Sequence, residues 1–269
     1  MGYLSCYEWI KQGELMGEKT IAQVREEYQA ALIQTLPAFV CTYQEDTRAG
    51  VQKLVAQAQK KLKKLEEERR RVYEMGAYER KYAQYAAVCG IDEAGRGPLA
   101  GPVVAGAVIL PKDCEILYIN DSKQLSAGMR EELFDVVMEQ ALAAGIGIVP
   151  AERIDEINIL QATYEAMREA INNLGIIPDI LLNDAVTIPG VTMEQVPIIK
   201  GDAKSISIAA ASILAKVTRD RIMGEYDSRY PGYGFAAHIG YGTQEHRDAL
   251  KQLGPCAIHR KTFLKGLTS

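Results

Sequence analysis

The chain has 269 residues, of which 48% are hydrophobic and 25% charged, and its formal net charge is −4. That composition belongs to a folded chain with a core of its own, long enough for one large domain and a small one. No apolar run reaches the ~18 residues of a membrane span, and five scattered cysteines without a CxxC pair argue against a disulfide framework or a cysteine zinc site.

Three histidines are too few for a rich histidine metal site. The opening MGYLSCYEWIKQGELMGE lacks the basic-then-apolar layout of an export signal, so a cytoplasmic, reduced protein is expected. Charge is unevenly spread. Residues 1–85 hold 14 basic and 12 acidic groups, 86–199 hold 6 and 17, and 200–269 hold 11 and 6. An acidic middle with basic flanks suits divalent cations beside a phosphate-binding surface, or else separate solvated faces.

Residues 18–85 carry almost no strand signal. Lys19 to Gln34 reads helical, and Thr35-Leu36-Pro37 interrupts it. From Gly50 on, Val51, Leu54, Val55, Ala58, Leu62, Leu65 and Val72 recur at helical spacing. The run KKLKKLEEERRR can pair its charges at i,i+3 and i,i+4, and reads either as a helix along a nucleic-acid backbone or as a solvated face. The change of pattern divides the chain into 1–85, a helical N-terminal extension, and 86–269, an α/β domain.

In that second domain, strands are predicted at 86–91, 102–110, 146–150, 179–184 and 191–200. Helices are predicted at 126–145, with Ser126 as cap and Gly145 as stop, at 151–174 in one or two pieces, at 205–226 and at 243–254. The first half of 205–226 is lined with Ala and Ser, a face able to pack closely on a sheet. The alternation predicts a sheet with helices on both faces.

Functional groups in open α/β sheets gather at strand ends. Asp92 and Glu93 follow the first strand, Asp184 ends the 179–184 strand, and Asp202 follows the strand ending at Lys200. Like charges about 4 Å apart repel by roughly 4 kcal/mol at an effective dielectric near 20. Such a set persists if protons or cations neutralise it, and oxygen-only ligands suit Mg²⁺ or Mn²⁺. Two such ions deprotonate a water and stabilise the leaving oxygen of a phosphodiester.

Gly95-Arg96-Gly97 gives a ligand close access to backbone N–H groups and a forked phosphate donor, or is a plain tight turn. Lys200, Lys204 and Ser205 surround Asp202 at a helix start, where phosphate binding and simple capping by Ser205 both fit. Lys216, Arg219 and Arg221 are expected to make structural pairs or solvent contacts. Tyr241, between Gly240 and Gly242, either stacks on a sugar or base or tucks under its loop. His238, His246 and His259 read as ordinary helix-end or loop donors.

Taken together, GIDEAGRGPLAGPVVAGAVIL, NDSKQLS, KGDAKSISIAAASILAKVTRDR, YPGYGF, HIGYGT and IHRKTF resemble bacterial ribonuclease HII over roughly residues 87–263. The helical extension looks like that of the Firmicute members. The resemblance implies an RNase H-like fold, with a mixed central sheet flanked by helices, and a metal-dependent endonuclease acting on the RNA strand of RNA–DNA hybrids. It also implies incision 5′ of single ribonucleotides in duplex DNA, leaving 3′-OH and 5′-phosphate ends, in ribonucleotide excision repair and primer removal. By position, Asp92, Glu93, Asp184 and Asp202 become the four acidic site residues, holding two Mn²⁺ or Mg²⁺ ions when substrate is bound. Gly95, Arg96 and Gly97 read the 2′-hydroxyl and nearby phosphates mainly through the backbone, with Lys200 and Ser205 as further substrate contacts. Tyr241 stacks on the sugar at the junction with DNA, and the 2′-OH is the group that separates RNA from DNA.

Three positions depart from that family's pattern. Asn183 stands where an apolar residue usually precedes the strand-end aspartate, and strand alternation sends Asn183 and Asp184 to opposite faces. Ile239 replaces a usual lysine, which removes a phosphate contact and predicts weaker substrate binding with chemistry intact. Cys256 stands where a small polar residue is common. A ribonuclease HIII-like enzyme, with a β-rich N-terminal domain, and a non-catalytic hybrid-binding module are the alternatives; a monomer is expected.

Overall fold

The computed structural model describes residues 19–266. It divides into two compact units between Arg71 and Val72, within one long helix. In the smaller unit, Ile21–Ala30 (α1) starts from a capping box between Thr20 and Gln23. Leu36–Tyr43 (α2) takes Pro37 in its first turn, so the interruption read at Thr35-Leu36-Pro37 launches a second helix. Ala49–Met75 (α3) packs Val51, Leu54, Val55 and Ala58 against Val24, Leu36 and Phe39. Lys60, Lys61, Lys63 and Lys64 are exposed, as either reading of the charged run requires.

The larger unit begins before residue 86. Val72 and Met75, at the end of α3, join a core with Val108, Leu133 and Ile213, and Ala77–Lys81 (α4) follows. Five strands form one mixed sheet: Val88–Ala94 (β1), Val103–Ile109 (β2), Ala143–Val149 (β3), Ile180–Asp184 (β4) and Glu194–Ile198 (β5). Their order is β3-β2-β1-β4-β5. The β1–β2 and β2–β3 pairs are antiparallel, and the β1–β4 and β4–β5 pairs are parallel.

Helices cover both faces, as the sequence pattern predicts. They are Ala127–Gln140 (α5), Ala151–Asn172 (α6), Ile206–Arg229 (α7), the single turn Phe235–His238 (α8) and Gln244–Leu253 (α9). Two helix boundaries differ from the periodicity. Helix α5 ends at Gln140 rather than Gly145, because Ala143, Ala144 and Gly145 pair with Ile109, Val108 and Ala107 as the start of β3. Helix α6 is broken at Asn158 (φ 67°), whose side chain accepts from the N–H groups of Leu160 and Gln161 and restarts the helix.

The small-residue face of α7 lies directly on β1 and β2. A Cβ at Gly106 would fall 2.4 Å from the Ala211 carbonyl oxygen, and one at Gly90 only 2.1 Å from the Ser207 carbonyl carbon. Glycine at both places lets helix and sheet meet backbone to backbone. That close seat brings the start of α7, and the turn Gly201–Ala203 before it, to the end of β1.

Cys89, Cys114 and Cys256 are free. No described helix is long and apolar enough to cross a membrane.

Candidate active site

Strand register builds the acidic site. The parallel ladder between β1 and β4 ends at the pair Ile91–Asn183, so Asp92 and Asp184 follow side by side. Asp92 and Glu93 lie within β1, paired in register with Gly106 and Ala105, and not in the loop after it as the sequence reading has them. Asp184 Oδ1 accepts a 2.7 Å hydrogen bond from Gly201 N, which ties the turn carrying Asp202 to the end of β4. Each of Asp92, Asp184 and Asp202 offers a carboxylate oxygen, all within 4.8 Å of one another. Asn183 points the other way, fully buried, and donates to Val186 O and to Gln195 Oε1. The departure at 183 therefore leaves Asp184 free to face the cluster.

Glu93 stands beside this triad. Its Oε1 accepts from Arg96 Nη1 at 3.2 Å, while Oε2 is buried without a partner. Burial first, and then the charges of Glu93 and Asp184, push the Asp92 carboxyl well above the ordinary carboxylate range. Burial, Asp121 and Asp184 raise Asp202 in the same sense. For Glu93, burial and the Asp184 charge outweigh the opposing Arg96. The Ser212 hydroxyl faces Asp92 and is itself 2.9 Å from Ser122 Oγ.

Lys123 was missed by the sequence reading as a site residue, although NDSKQLS drew attention to its segment. Its ammonium lies 4.0 Å from Asp202 Oδ2. Burial works against that charge, but Asp121, Asp92, Asp202 and Asp184 together hold it above the usual lysine value. An oxygen-only donor set with a buried orphan oxygen, in a field strong enough to raise its own acids, fits a hard divalent cation.

Next to the acids lies an open cleft of about 170 Å³, lined by Glu93, Arg96, Gly97, Lys123, Lys216 and Tyr241 among others. Arg96 and Gly97 are exposed. The Tyr241 ring is exposed too, at 47%, and a Cβ on Gly97 would meet its Cε1 at 3.7 Å. Of the two readings for Tyr241, the ring is therefore out of its loop and beside the glycine turn. Lys216 pairs with Asp220 and lines the same cleft.

The remaining expectations are met in part. Ser205 is fully buried and its hydroxyl caps α7 through Ile208 N. Glu79 Oε1 accepts from Ser205 Oγ at 2.6 Å and from Ser207 N at 3.0 Å. A carboxylate of the chain thus fills the helix start that the sequence offered to phosphate, and Ser205 serves as cap. Lys200 and Lys204 are exposed, and Lys200 has a left-handed backbone (φ 56°). Arg219, expected in a pair or in solvent, is buried and bonds backbone carbonyls. Arg221 pairs with Glu131. The three histidines gather in one place: His246 Nε2 and His259 Nε2 lie 3.0 Å apart, and His238 stacks on His246. Cys256 donates its N–H to His259 Nδ1.

Comparison with known proteins agrees with this geometry. The family model for ribonuclease HII matches residues 89–265, and the model for the ribonuclease HII N-terminal domain matches residues 20–83. The ribonuclease HII of Lachnoclostridium phytofermentans is 59% identical over 262 residues, covering 97% of each chain. That of Clostridioides difficile is 51% identical, covering 94% of this chain and all of its own. Among solved structures, ribonuclease H2 from Pyrococcus horikoshii superposes with a TM-score of 0.57 at 31% identity, over 68% of this chain and 97% of that one. Ribonuclease HII from Archaeoglobus fulgidus, solved in complex with PCNA, gives 0.58 at 28% identity, over the same shares. The fold is RNase H-like, with a helical region ahead of the sheet, and the chain belongs to the ribonuclease HII family of hydrolases, with ribonuclease H activity on RNA–DNA hybrids.

Proposed function

We propose that this ribonuclease HII is a metal-dependent endonuclease that cuts the RNA strand of hybrids and also nicks duplex DNA 5′ of a single embedded ribonucleotide. The ends left are 3′-OH and 5′-phosphate. The observation that carries this reading is the meeting of three carboxylates within 4.8 Å beside a cleft lined by Gly95, Arg96, Gly97 and Tyr241.

Asp92, Asp184 and Asp202, with Glu93 beside them, are the groups that would hold Mn²⁺ or Mg²⁺. Bound there, the ions supply an activated water and charge stabilisation for the leaving oxygen of the phosphodiester. The chain's own residues do the rest. The register of β1 on β4 and the Gly201–Asp184 bond fix the acids before substrate arrives, so no reorganisation is needed at the reacting phosphate. Arg96 and Gly97 present N–H donors to the ribose 2′-OH and adjacent phosphate, and the Tyr241 ring covers the neighbouring sugar. Lys123, Lys216 and exposed Lys200 take phosphates along the strand. Ribonucleotide excision repair and primer removal are the roles this chemistry serves, by a monomer in the cytoplasm.

The test uses three duplexes of one sequence: a hybrid, a DNA duplex with one ribonucleotide, and all-DNA. Each is incubated with Mn²⁺, Mg²⁺ or a chelator. The reading expects cleavage of the first two with metal, none with chelator, and none of the third. Binding of the ribonucleotide duplex without any metal-dependent cut would instead support the hybrid-binding module.

A further inference from the structure

Two arginine side chains, Arg219 and Arg260, are among the largest fully buried groups in the protein. Each of their hydrogen bonds goes to a backbone carbonyl. Arg260 donates through Nη2 to Gly95 O (2.6 Å), Gly101 O (2.8 Å) and Pro102 O (3.1 Å), through Nη1 to Arg96 O (2.9 Å), and through Nε to Gly101 O (3.0 Å). Arg219 donates to Pro102 O (2.9 Å), Ala100 O (3.1 Å) and Ile239 O (3.0 Å). Burial lowers Arg260 to about 9 and Arg219 to about 10. A guanidinium buried without a carboxylate is costly, so its position is held only while the carbonyls around it stay in place. Structure and loop therefore fix each other.

Two of the carbonyls that Arg260 holds, Gly95 O and Arg96 O, are those of the glycine turn. In a trans peptide the N–H points opposite to the C=O of the preceding residue. Drawing Gly95 O and Arg96 O inward turns the N–H groups of Arg96 and Gly97 outward. Both residues are exposed, and among the described residues neither N–H has a backbone acceptor. Gly95 itself has φ 95°, and a Cβ there would fall 2.1 Å from Arg219 Nε, so only glycine fits. Arg219 fixes the opposite wall. It holds Ile239 O, and Leu99 N donates to Gly240 O at 2.8 Å, just before Tyr241. The two guanidiniums share the Pro102 carbonyl.

We propose that Arg260 is a positioning residue for ribonucleotide recognition: it aims the Arg96 and Gly97 N–H groups into the cleft, at a distance from the Tyr241 ring that Arg219 sets. This rests on the reading that the glycine turn and Tyr241 contact the ribose. A lysine cannot replace it, because an ammonium lacks the planar fork that reaches four carbonyls at once.

The experiment measures, without catalytic metal, the affinity of a one-ribonucleotide duplex relative to all-DNA of the same sequence. A loss of folded protein weakens both affinities alike and leaves their ratio untouched. Arg260→Lys should lower the ratio about tenfold or more, the worth of one to two recognition hydrogen bonds. An unchanged ratio in folded Arg260→Lys overturns the proposal. Should that variant not fold, amide exchange in the native protein decides. The Arg96 and Gly97 amides should exchange fast alone and slow down only with the ribonucleotide duplex. Slow exchange in the free protein overturns the outward aim. Gly97→Ala separates the two levels, since its methyl has room and meets only Tyr241. If Gly97→Ala lowers the ratio and Arg260→Lys does not, Arg260 alone is misassigned. If Gly97→Ala also leaves it unchanged, the ribose-contact reading fails.

Discussion

Asp92 and Asp184 stand one position beyond the Ile91–Asn183 pair that ends the parallel ladder of β1 and β4. Two anionic groups are thereby fixed side by side by backbone hydrogen bonds that do not depend on their charge. Asp202 completes the set within 4.8 Å. The sheet supplies the stability that the cluster consumes, and the pairing of β1 with β4 holds the backbones of Asp92 and Asp184 together.

Stability without metal should reveal that repulsion. At an effective dielectric near 20, a fully charged pair at this separation costs about 3–4 kcal/mol, less whatever protonation relieves. Asp92→Asn should therefore raise the melting temperature by several degrees in chelator, measured by thermal unfolding. A fall would mean that Asp92 is stabilised by its surroundings.

Tyr241 is half exposed and supports little of the core. Tyr241→Ala should leave the melting temperature within about 2 °C. Loss of ring stacking is worth about 1–3 kcal/mol, so duplex affinity should fall roughly 5- to 150-fold. A large drop in melting temperature with unchanged affinity would make the ring a structural prop.

Ile239 has a left-handed backbone (φ 51°), which a β-branched residue adopts only under strain. It stands partly buried beside the Ala100 and Phe235 cluster. Ile239→Lys relieves the branching and adds a cation before Gly240. We expect a lower KM for the one-ribonucleotide duplex and a salt slope steeper by about 0.9. An unchanged KM would contradict the account of this departure.

The histidine cluster predicts a pH effect with a definite sign. His246 Nδ1 must donate to Tyr241 O, 2.9 Å away, so its Nε2 accepts from His259 Nε2–H, and His259 Nδ1 accepts from Cys256 N. Both rings are neutral in this chain of bonds. Burial first, and then His246, lower His259 to about 4, and burial lowers His246 as well. A base lowered on folding contributes fully above its unfolded value near 6.5 and loses that contribution as pH falls toward the folded value. His259 thus contributes on the order of 3 kcal/mol at pH 7 that is gone by about pH 4. His259→Gln keeps a donor toward His246 and cannot titrate, so its melting curve should fall less steeply between pH 7 and 4.5. Parallel curves for variant and wild type would refute the assignment.

Much of the site was legible in the sequence because strand alternation and strand-end chemistry are local. Asp184 and Asp202 were read that way, Asp92 needed only a longer β1, and the glycine turn was read from its two glycines and the family resemblance. The start of β3 was not legible, since Ala143 and Ala144 are helix formers overridden by pairing with buried β2. Glu79 was hidden in a helical stretch that gives no hint of the α7 start it caps. Arg219 and Arg260 were hidden for the opposite reason. Arginine is ordinarily a surface residue, and nothing local announces that carbonyls distant in sequence will close around it. Lys123 sits in a turn whose nearness to Asp202 is purely tertiary.

We propose that the carboxylates of Asp92, Asp184 and Asp202 act together through divalent cations on a ribonucleotide phosphodiester. The nicking rate of a one-ribonucleotide duplex against Mn²⁺ concentration, for the wild type and Asp92→Asn, tests this. A saturating Mn²⁺ dependence is expected in the wild type. In the variant the rate should be at least about a thousandfold lower, with duplex affinity largely kept. A variant that nicks at the wild-type rate, or a wild type that nicks equally well in chelator, would contradict it.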